Sequence, residues 1–377
     1  MPYRLTIPAR INILGNPSDA VEGDFATISA AVSIHAYAEI YEDDEIVLEQ
    51  RNRTEEGFET VARQTFRPEE IPLPYDGTLD LCKGAINRLH RYSPEFQGRI
   101  KERGVQIATW TEVPRQSGLG GSSLFVLLTL AGLRLHYQLD PLYHNDYILG
   151  ELTQRVEAKE LGITCGYADR YVPLFGGLAY IDYRGKLDQK TLHEEPYSTY
   201  ERLDPWVDRL PLVAVCSGVK RDSGDVHGRM RPLYIQEHNQ WLTNGGEIPP
   251  MVRWMHTAWE TAWRGKIALL QRNWETFGNL MNTNHQAVDE MMSYSGFPNG
   301  AGEANNLLIE TALENGALGA KLTGAGCGGS VFALTHPGKE EALMDVWQQT
   351  AQEAGLNQAT VYQPAFSKQG LHVEKTP

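Results

Sequence analysis

The chain has 377 residues, with 34 lysines and arginines against 48 aspartates and glutamates, a formal charge of −14 and 41% hydrophobic residues. That apolar share excludes global disorder, the length predicts two domains at about 150 residues each, and the acidic balance excludes a nucleic-acid partner, which would need a basic face. No run approaches the roughly 20 apolar residues of a membrane span, and Cys82, Cys165, Cys216 and Cys327 show no CxxC spacing, so a reduced, soluble, cytoplasmic protein with no membrane contact is expected.

Strand signals, β-branched and aromatic residues in partial alternation, cover 4–14, 28–41 and 104–113. An amphipathic helix is expected over 79–92. The segment 122–137 is apolar nearly all round, which predicts a central buried helix. A further helix over 146–161 should stop at Gly162, and 176–183 returns to strand. The charged, proline-bearing stretch 194–208 reads as a loop and a domain boundary, dividing the chain into 1–205 and 206–377. Beyond it come a strand over 210–219 and helices over 232–243, 252–270 and 274–292. They are followed by a shorter helix over 306–315, a strand pair with a glycine-rich centre over 318–335, a helix over 339–354 and a last strand over 358–366. Runs of strands and helices without strict βαβ alternation predict an α+β protein.

The run PRQSGLGGSS (114–123) stands between a predicted strand and the buried helix. Its glycines permit close backbone approach, and its serines open a helix whose first N–H groups lack partners and whose dipole is positive. Such a loop can cradle phosphate. It is not a Walker A loop, because no GK[ST] ends it. A second glycine-rich run, KLTGAGCGGS (321–330), contains a formal GxGxxG, but a strand rather than a helix follows it, which excludes a dinucleotide fingerprint.

These two runs, with PARINILGNPSD (8–19) near the start, resemble in order and spacing the three motifs of the GHMP kinases, the galactokinase, homoserine kinase, mevalonate kinase and phosphomevalonate kinase family. Within it, LGNPSD (14–19), VPRQSG (113–118), KELGI (159–163), GYADR (166–170) and DSGDVH (222–227) are similar to the glucuronokinases. The resemblance implies a two-domain fold, an N-terminal ribosomal S5-like α/β domain and a C-terminal ferredoxin-like α+β domain. It also implies ATP with Mg²⁺ and a small-molecule acceptor, a sugar or uronic acid phosphorylated at its anomeric hydroxyl. A mevalonate-pathway kinase or decarboxylase is the rival enzyme reading, and a non-catalytic sugar and ATP sensor the rival from another class. A homodimer is left open.

The resemblance also implies roles. Asp169 is expected as general base, in a tight loop between Gly166 and Gly176, with Arg10 beside the transferring phosphoryl group. Pro114, Gly118, Leu119, Gly120, Gly121, Ser122, Ser123, Gly324 and Gly326 would form the nucleotide site, and Ser122 and Glu157 would bind magnesium. Asn16, Ser18, Asp19 and Gly166 would face the sugar, and Arg115, Arg170 and Arg221 are the candidate partners of a uronate carboxylate. His227 and His285 are expected to be structural or surface histidines, because neither has an HxxxH partner.

Overall fold

The computed structural model describes residues 2–21, 25–184, 186, 197–207, 209–220, 223–324 and 326–375. Arg221 lies outside them.

Two sheets organise the chain. The first takes strands β1 (Tyr3–Leu14), β2 (Ala26–Asp43), β3 (Ile46–Thr54), β4 (Gly57–Phe66), β5 (Gly104–Thr111), β6 (Leu178–Asp182) and β7 (Thr199–Arg202). Its main path is completed by the chain's final strand, β12 (His372–Lys375), antiparallel to β1. β2 is long enough to serve two neighbours on one edge. Its first five residues pair with β6, while Ala36–Asp43 pair with β5. The β3–β4 hairpin joins through β3, which runs parallel to β5.

The predicted all-apolar helix is α3 (Gly121–His136), after α1 (Asp80–Tyr92) and α2 (Pro94–Arg99). Leu124, Val126, Leu127, Leu128, Leu130 and Leu133 are all buried, so the helix has little solvent face. It lies against the sheet so closely that a Cβ on Gly132 would run into Ile40. α4 (Asp146–Arg155) continues into one π-helical turn, Val156–Glu160, and the run ends at Gly162, whose φ of +67° only glycine adopts without strain.

The second sheet is β8 (Leu212–Cys216), β9 (Gly319–Thr323), β10 (Ser330–Leu334) and β11 (Thr360–Tyr362), in the order β11-β8-β10-β9, all antiparallel. Alternate residues face opposite sides of a strand. Val213, Val215, Val331 and Ala333 pack with Leu308 and Trp347 of α9 (Glu303–Glu314) and α10 (Glu340–Glu353). Leu212, Ala214, Phe332 and Leu334 join the core shared with the first sheet. The long helices α6 (Ser223–Asn244), α7 (Pro250–Leu270) and α8 (Trp274–Tyr294) lie between β8 and β9 in sequence. Among the described residues no helix is long and apolar enough to cross a membrane.

The predicted elements differ from the observed ones in places with a reason. The 194–208 loop contains β7, a four-residue edge strand too short and polar to carry a pattern. The β3–β4 hairpin has no counterpart among the expected strands, because β4 is mostly exposed and shows no clean alternation of apolar residues. Residues after 366 return to the first sheet, so the end of the chain packs with its beginning.

Candidate active site

β1 delivers the first motif. Arg10 sits near its middle, and its guanidinium joins two distant segments. Nη1 donates to the Gly118 carbonyl at 2.5 Å. Nε and Nη2 both donate to Asp169 Oδ1, at 2.8 and 2.5 Å. Among the described residues no hydrogen bond reaches Oδ2, and the Asp169 side chain is 24% exposed, so one carboxylate oxygen stays open to a ligand. Burial pushes the Asp169 carboxyl up, but the charges of Arg10 and Arg170 outweigh it and hold the group below its ordinary value. His227, on the first turns of α6, lies close enough to add to that lowering.

Asp169 is not in a loop, as expected from the flanking glycines. It stands in the first turn of a helix, α5 (Ala168–Phe175), and Gly176 ends that helix with a φ of +71°. Asp19 holds the helix in place. Its Oδ2 accepts from the backbone N–H groups of Tyr167 and Ala168, both at 3.0 Å, which satisfies donors that a helix start leaves open. Burial, then the neighbouring Asp169, raise the Asp19 carboxyl. Gly166 is required by contact rather than by backbone angle, since a Cβ there would collide with Asp19 Oδ2. Gly166→Ala is therefore expected to cost about 1–3 kcal/mol and to move α5, readable as a lower denaturation midpoint together with a raised acceptor KM.

The glycine-rich loop meets α3 as a phosphate cradle should. Gly118 and Gly120 have φ of +79° and +81°, and no side chain caps the helix, so its first N–H groups are left to other partners. Gly120 packs on Arg10, where an added Cβ would lie 3.5 Å from the guanidinium carbon. Gly121 and Ser122 open the helix, with Ser122 exposed. Pro114 and Arg115 are exposed at the loop's entrance. Leu119 contributes through its backbone, its carbonyl accepting from Arg10 N, while its side chain is in the core.

Four expectations are corrected. Ser123 does not face the cleft: it is buried and donates to Glu157 Oε2 at 2.8 Å. Glu157 is itself buried and ion-paired to Arg170 through the same oxygen, so Ser122 and Glu157 form no ready-made magnesium site. Arg170, fully buried, is a partner of Glu157 and not of a ligand carboxylate. Asn16 and Ser18 are internal as well. Asn16 Oδ1 accepts from Lys321 Nζ at 2.7 Å and its Nδ2 donates to the Gly324 carbonyl, while Ser18 donates to the Ala26 carbonyl.

The third motif is bound to the first. Thr323 Oγ1 accepts from Asn12 N at 3.0 Å, and Asn284 of α8 bridges Gly15 and Asn16. Burial pulls the Lys321 ammonium down to about 7, and Lys321 in turn helps burial to depress His285 to about 4. Gly324 and Gly326 have φ of +75° and +91°, and Gly326 packs on Met292. The first motif thus contacts both glycine-rich runs, which lie about 200 residues apart in sequence. Ser123, Glu157, Arg170, Asn16 and Ser18 are the residues of this region that sequence reasoning misplaced. The signal for Ser123 was the fully apolar α3, on which a residue one position past Ser122 turns inward.

Comparison with known proteins agrees with this arrangement. Residues 80–177 match the model of the GHMP kinases N terminal domain and 266–353 that of the GHMP kinases C terminal region. The galactokinase of Thermococcus kodakarensis is 30% identical over 282 residues, 70% of this chain and 72% of that protein. Glucuronokinase 1 of Arabidopsis thaliana is 27% identical over 341 residues, 89% of this chain and 86% of that protein. The crystal structure of Lactococcus lactis galactokinase complexed with galactose shares the fold, with a TM-score of 0.76 at 21% identity over 98% of this chain and 95% of that one. With both family regions matched and all three motifs gathered around Arg10, Asp19 and Asp169, the chain belongs to the GHMP kinases, a family of small-molecule kinases.

Proposed function

We propose that the protein is an ATP-dependent sugar kinase that transfers a phosphoryl group to the anomeric hydroxyl of a sugar or uronic acid. The observation that carries this reading is the Arg10 guanidinium. It ties the phosphate loop at Gly118 to Asp169 Oδ1 and leaves Oδ2 for an acceptor hydroxyl. The phosphates of ATP lie at the uncapped start of α3, where backbone N–H groups and the helix dipole favour anions. Magnesium carried by ATP as part of that substrate would neutralise phosphate charge. The exposed Ser122 hydroxyl is a suitable hard-oxygen donor at that end of the helix.

The acceptor hydroxyl donates to Asp169 Oδ2. As the new P–O bond forms and the bond from the γ-phosphorus to the bridging oxygen breaks, releasing ADP, the hydroxyl proton passes to Oδ2. A carboxylate held below its ordinary value is a weak base, which suits a loose phosphoryl-transfer transition state in which positioning matters more than early deprotonation. Arg10 holds the carboxylate at a fixed distance from the loop and adds positive charge beside the transferring group. Asp19 sets where α5 begins and so where Asp169 stands.

ADP release across uronic acids, aldohexoses, aldopentoses and mevalonate tests the reading. Turnover on a sugar or uronate supports it. Turnover on mevalonate alone, or binding without turnover throughout, overturns it in favour of a mevalonate-type kinase or a sensor. Asp19→Ala should raise the acceptor KM far more than the ATP KM. It should also lower stability by about 0.5–2 kcal/mol through the lost helix cap. Equal effects on both KM values would contradict the assignment of Asp19 to the acceptor side.

A further inference from the structure

The first motif holds Asp169 at two points: Arg10 grips its carboxylate, and Asp19 caps the helix that carries it. Between those two residues the chain leaves β1 and turns through residues 15–18. Lys321 of β9 reaches this turn from the second sheet, and it is an unusual cation. It is fully buried, and among the described residues no carboxylate pairs with it. Its Nζ meets three neutral acceptors instead: Asn16 Oδ1 at 2.7 Å, the Leu322 carbonyl at 2.9 Å and the Asn12 carbonyl at 3.5 Å.

Three acceptors suit an ammonium, which has three N–H donors. A neutral amine has two, and its lone pair would face one of the oxygens. Turning the Asn16 amide to meet that lone pair would set Oδ1 against the Gly324 carbonyl, to which Nδ2 now donates. The Phe332 ring, its centre 5.4 Å from Nζ, also favours the charged form. Burial opposes it and brings the group down to about 7. The neighbouring elements add no charge that offsets this. Arg10, two places before Asn12 on β1, is bound to Asp169 and Gly118. β10 presents the Phe332 ring, and α9 packs on the opposite face of β9, at Ala320. α8 presents His285, which is held at about 4 and is uncharged near neutral pH. Asp289, one turn further along α8, acts on His285 and accepts from Ala301 N.

We propose that Lys321 is a positioning residue for phosphoryl transfer: as an ammonium it clasps the turn between Arg10 and Asp19 to the third motif, and loss of its proton loosens that turn and misplaces the acceptor against Asp169. The inference rests on the kinase reading of Asp169 and Asp19 above. It makes kcat/KM fall as the pH rises through neutrality. Unfolding does not mimic this fall. Folded Lys321 gives up its proton at about 7 while the unfolded chain, with an ordinary value of 10.5, still holds it, so the contribution of Lys321 to stability rises with pH in that window.

The experiment follows kcat/KM from about pH 6 to about pH 9 on whichever of glucuronate, galactose and mevalonate is turned over, in the parent, Lys321→Met and Asn16→Asp. Hydrogen exchange of the backbone amides of Gly15, Ser18, Tyr167 and Ala168, in parent and Lys321→Met at one pH and without substrates, runs in parallel. The parent should lose about tenfold across the range, the worth of a hydrogen bond to a charged group. Lys321→Met should start about tenfold lower and stay level. Asn16→Asp puts a carboxylate on the ammonium and should move the fall upward by about one pH unit or more. The ATP KM should stay within about twofold throughout. Should Lys321→Met not fold, the shift in Asn16→Asp decides by itself. A level parent profile, a fall that keeps its place in both variants, or unchanged exchange in Lys321→Met overturns the clasp while leaving the kinase reading intact. Faster exchange in Lys321→Met, with no ADP release on any acceptor, upholds the clasp and overturns the kinase reading instead.

Discussion

Asp169→Asn is expected to lower kcat by roughly 10²–10⁴-fold with ATP and acceptor affinities within a few-fold of the parent. The amide keeps the volume and can still hydrogen-bond the acceptor hydroxyl, but it takes no proton at neutral pH. The geometry adds a cost in stability. Arg10 Nε and Nη2 both end on Asp169 Oδ1, so the asparagine leaves a buried guanidinium without its counter-charge. A fully buried broken pair costs roughly 3–5 kcal/mol, and the partial exposure of Asp169 reduces this to about 1–2 kcal/mol. Steady-state ADP release and a denaturation midpoint measure the two effects separately. Intact turnover in the variant would remove Asp169 from the mechanism.

The same pair sets an expectation for pH. Asp169 titrates below its ordinary 3.8 when folded, so the unfolded chain binds the proton more readily. The stabilisation is present above about pH 4 and is lost as the pH falls through the depressed folded value. Between about pH 5 and pH 8 the carboxylate is ionised, and a kcat/KM profile in that range should show no ionisation that vanishes in Asp169→Asn.

Glu157→Gln is expected to act on the fold first and on the chemistry second. Glu157 and Arg170 are 4% and 0% exposed, and Glu157 Oε2 holds both the arginine and the Ser123 hydroxyl. Removing the charge leaves Arg170 buried without its hydrogen-bonded carboxylate, which should cost about 3–5 kcal/mol. Among the described residues Arg170 Nε and Nη1 have no hydrogen-bond partner, so only the charge of nearby Asp169 would offset part of the loss. Replacing both residues together, as Glu157→Gln/Arg170→Met, should recover much of the loss, because no unpaired charge then remains. Ser122→Ala is the contrasting variant: its side chain is exposed, so turnover should fall with the midpoint unchanged. An unchanged midpoint in Glu157→Gln would contradict the buried pair and return Glu157 to the metal site that the family resemblance implied.

Much of this protein was legible from local pattern. The apolar run of α3, the stop at Gly162, the long helices α7 and α8 and the glycine-centred pair β9–β10 depend on side-chain periodicity and on backbone angles that glycine permits, both of which are local properties. The three motifs, and with them Arg10, Asp19 and Asp169, were likewise readable as residue strings. What each side chain meets was not readable, because it depends on how separate segments pack, whether 13, 34 or 305 residues away. Ser122 and Ser123 are adjacent and chemically identical, yet one is exposed at the start of α3 and the other is buried on Glu157. A helix turns about 100° per residue, so the orientation of α3 on its sheet decided between them. Arg170 looked like a ligand arginine until the π-helical turn brought Glu157 against it, and Asn16 looked like a sugar ligand until Lys321 came across from β9.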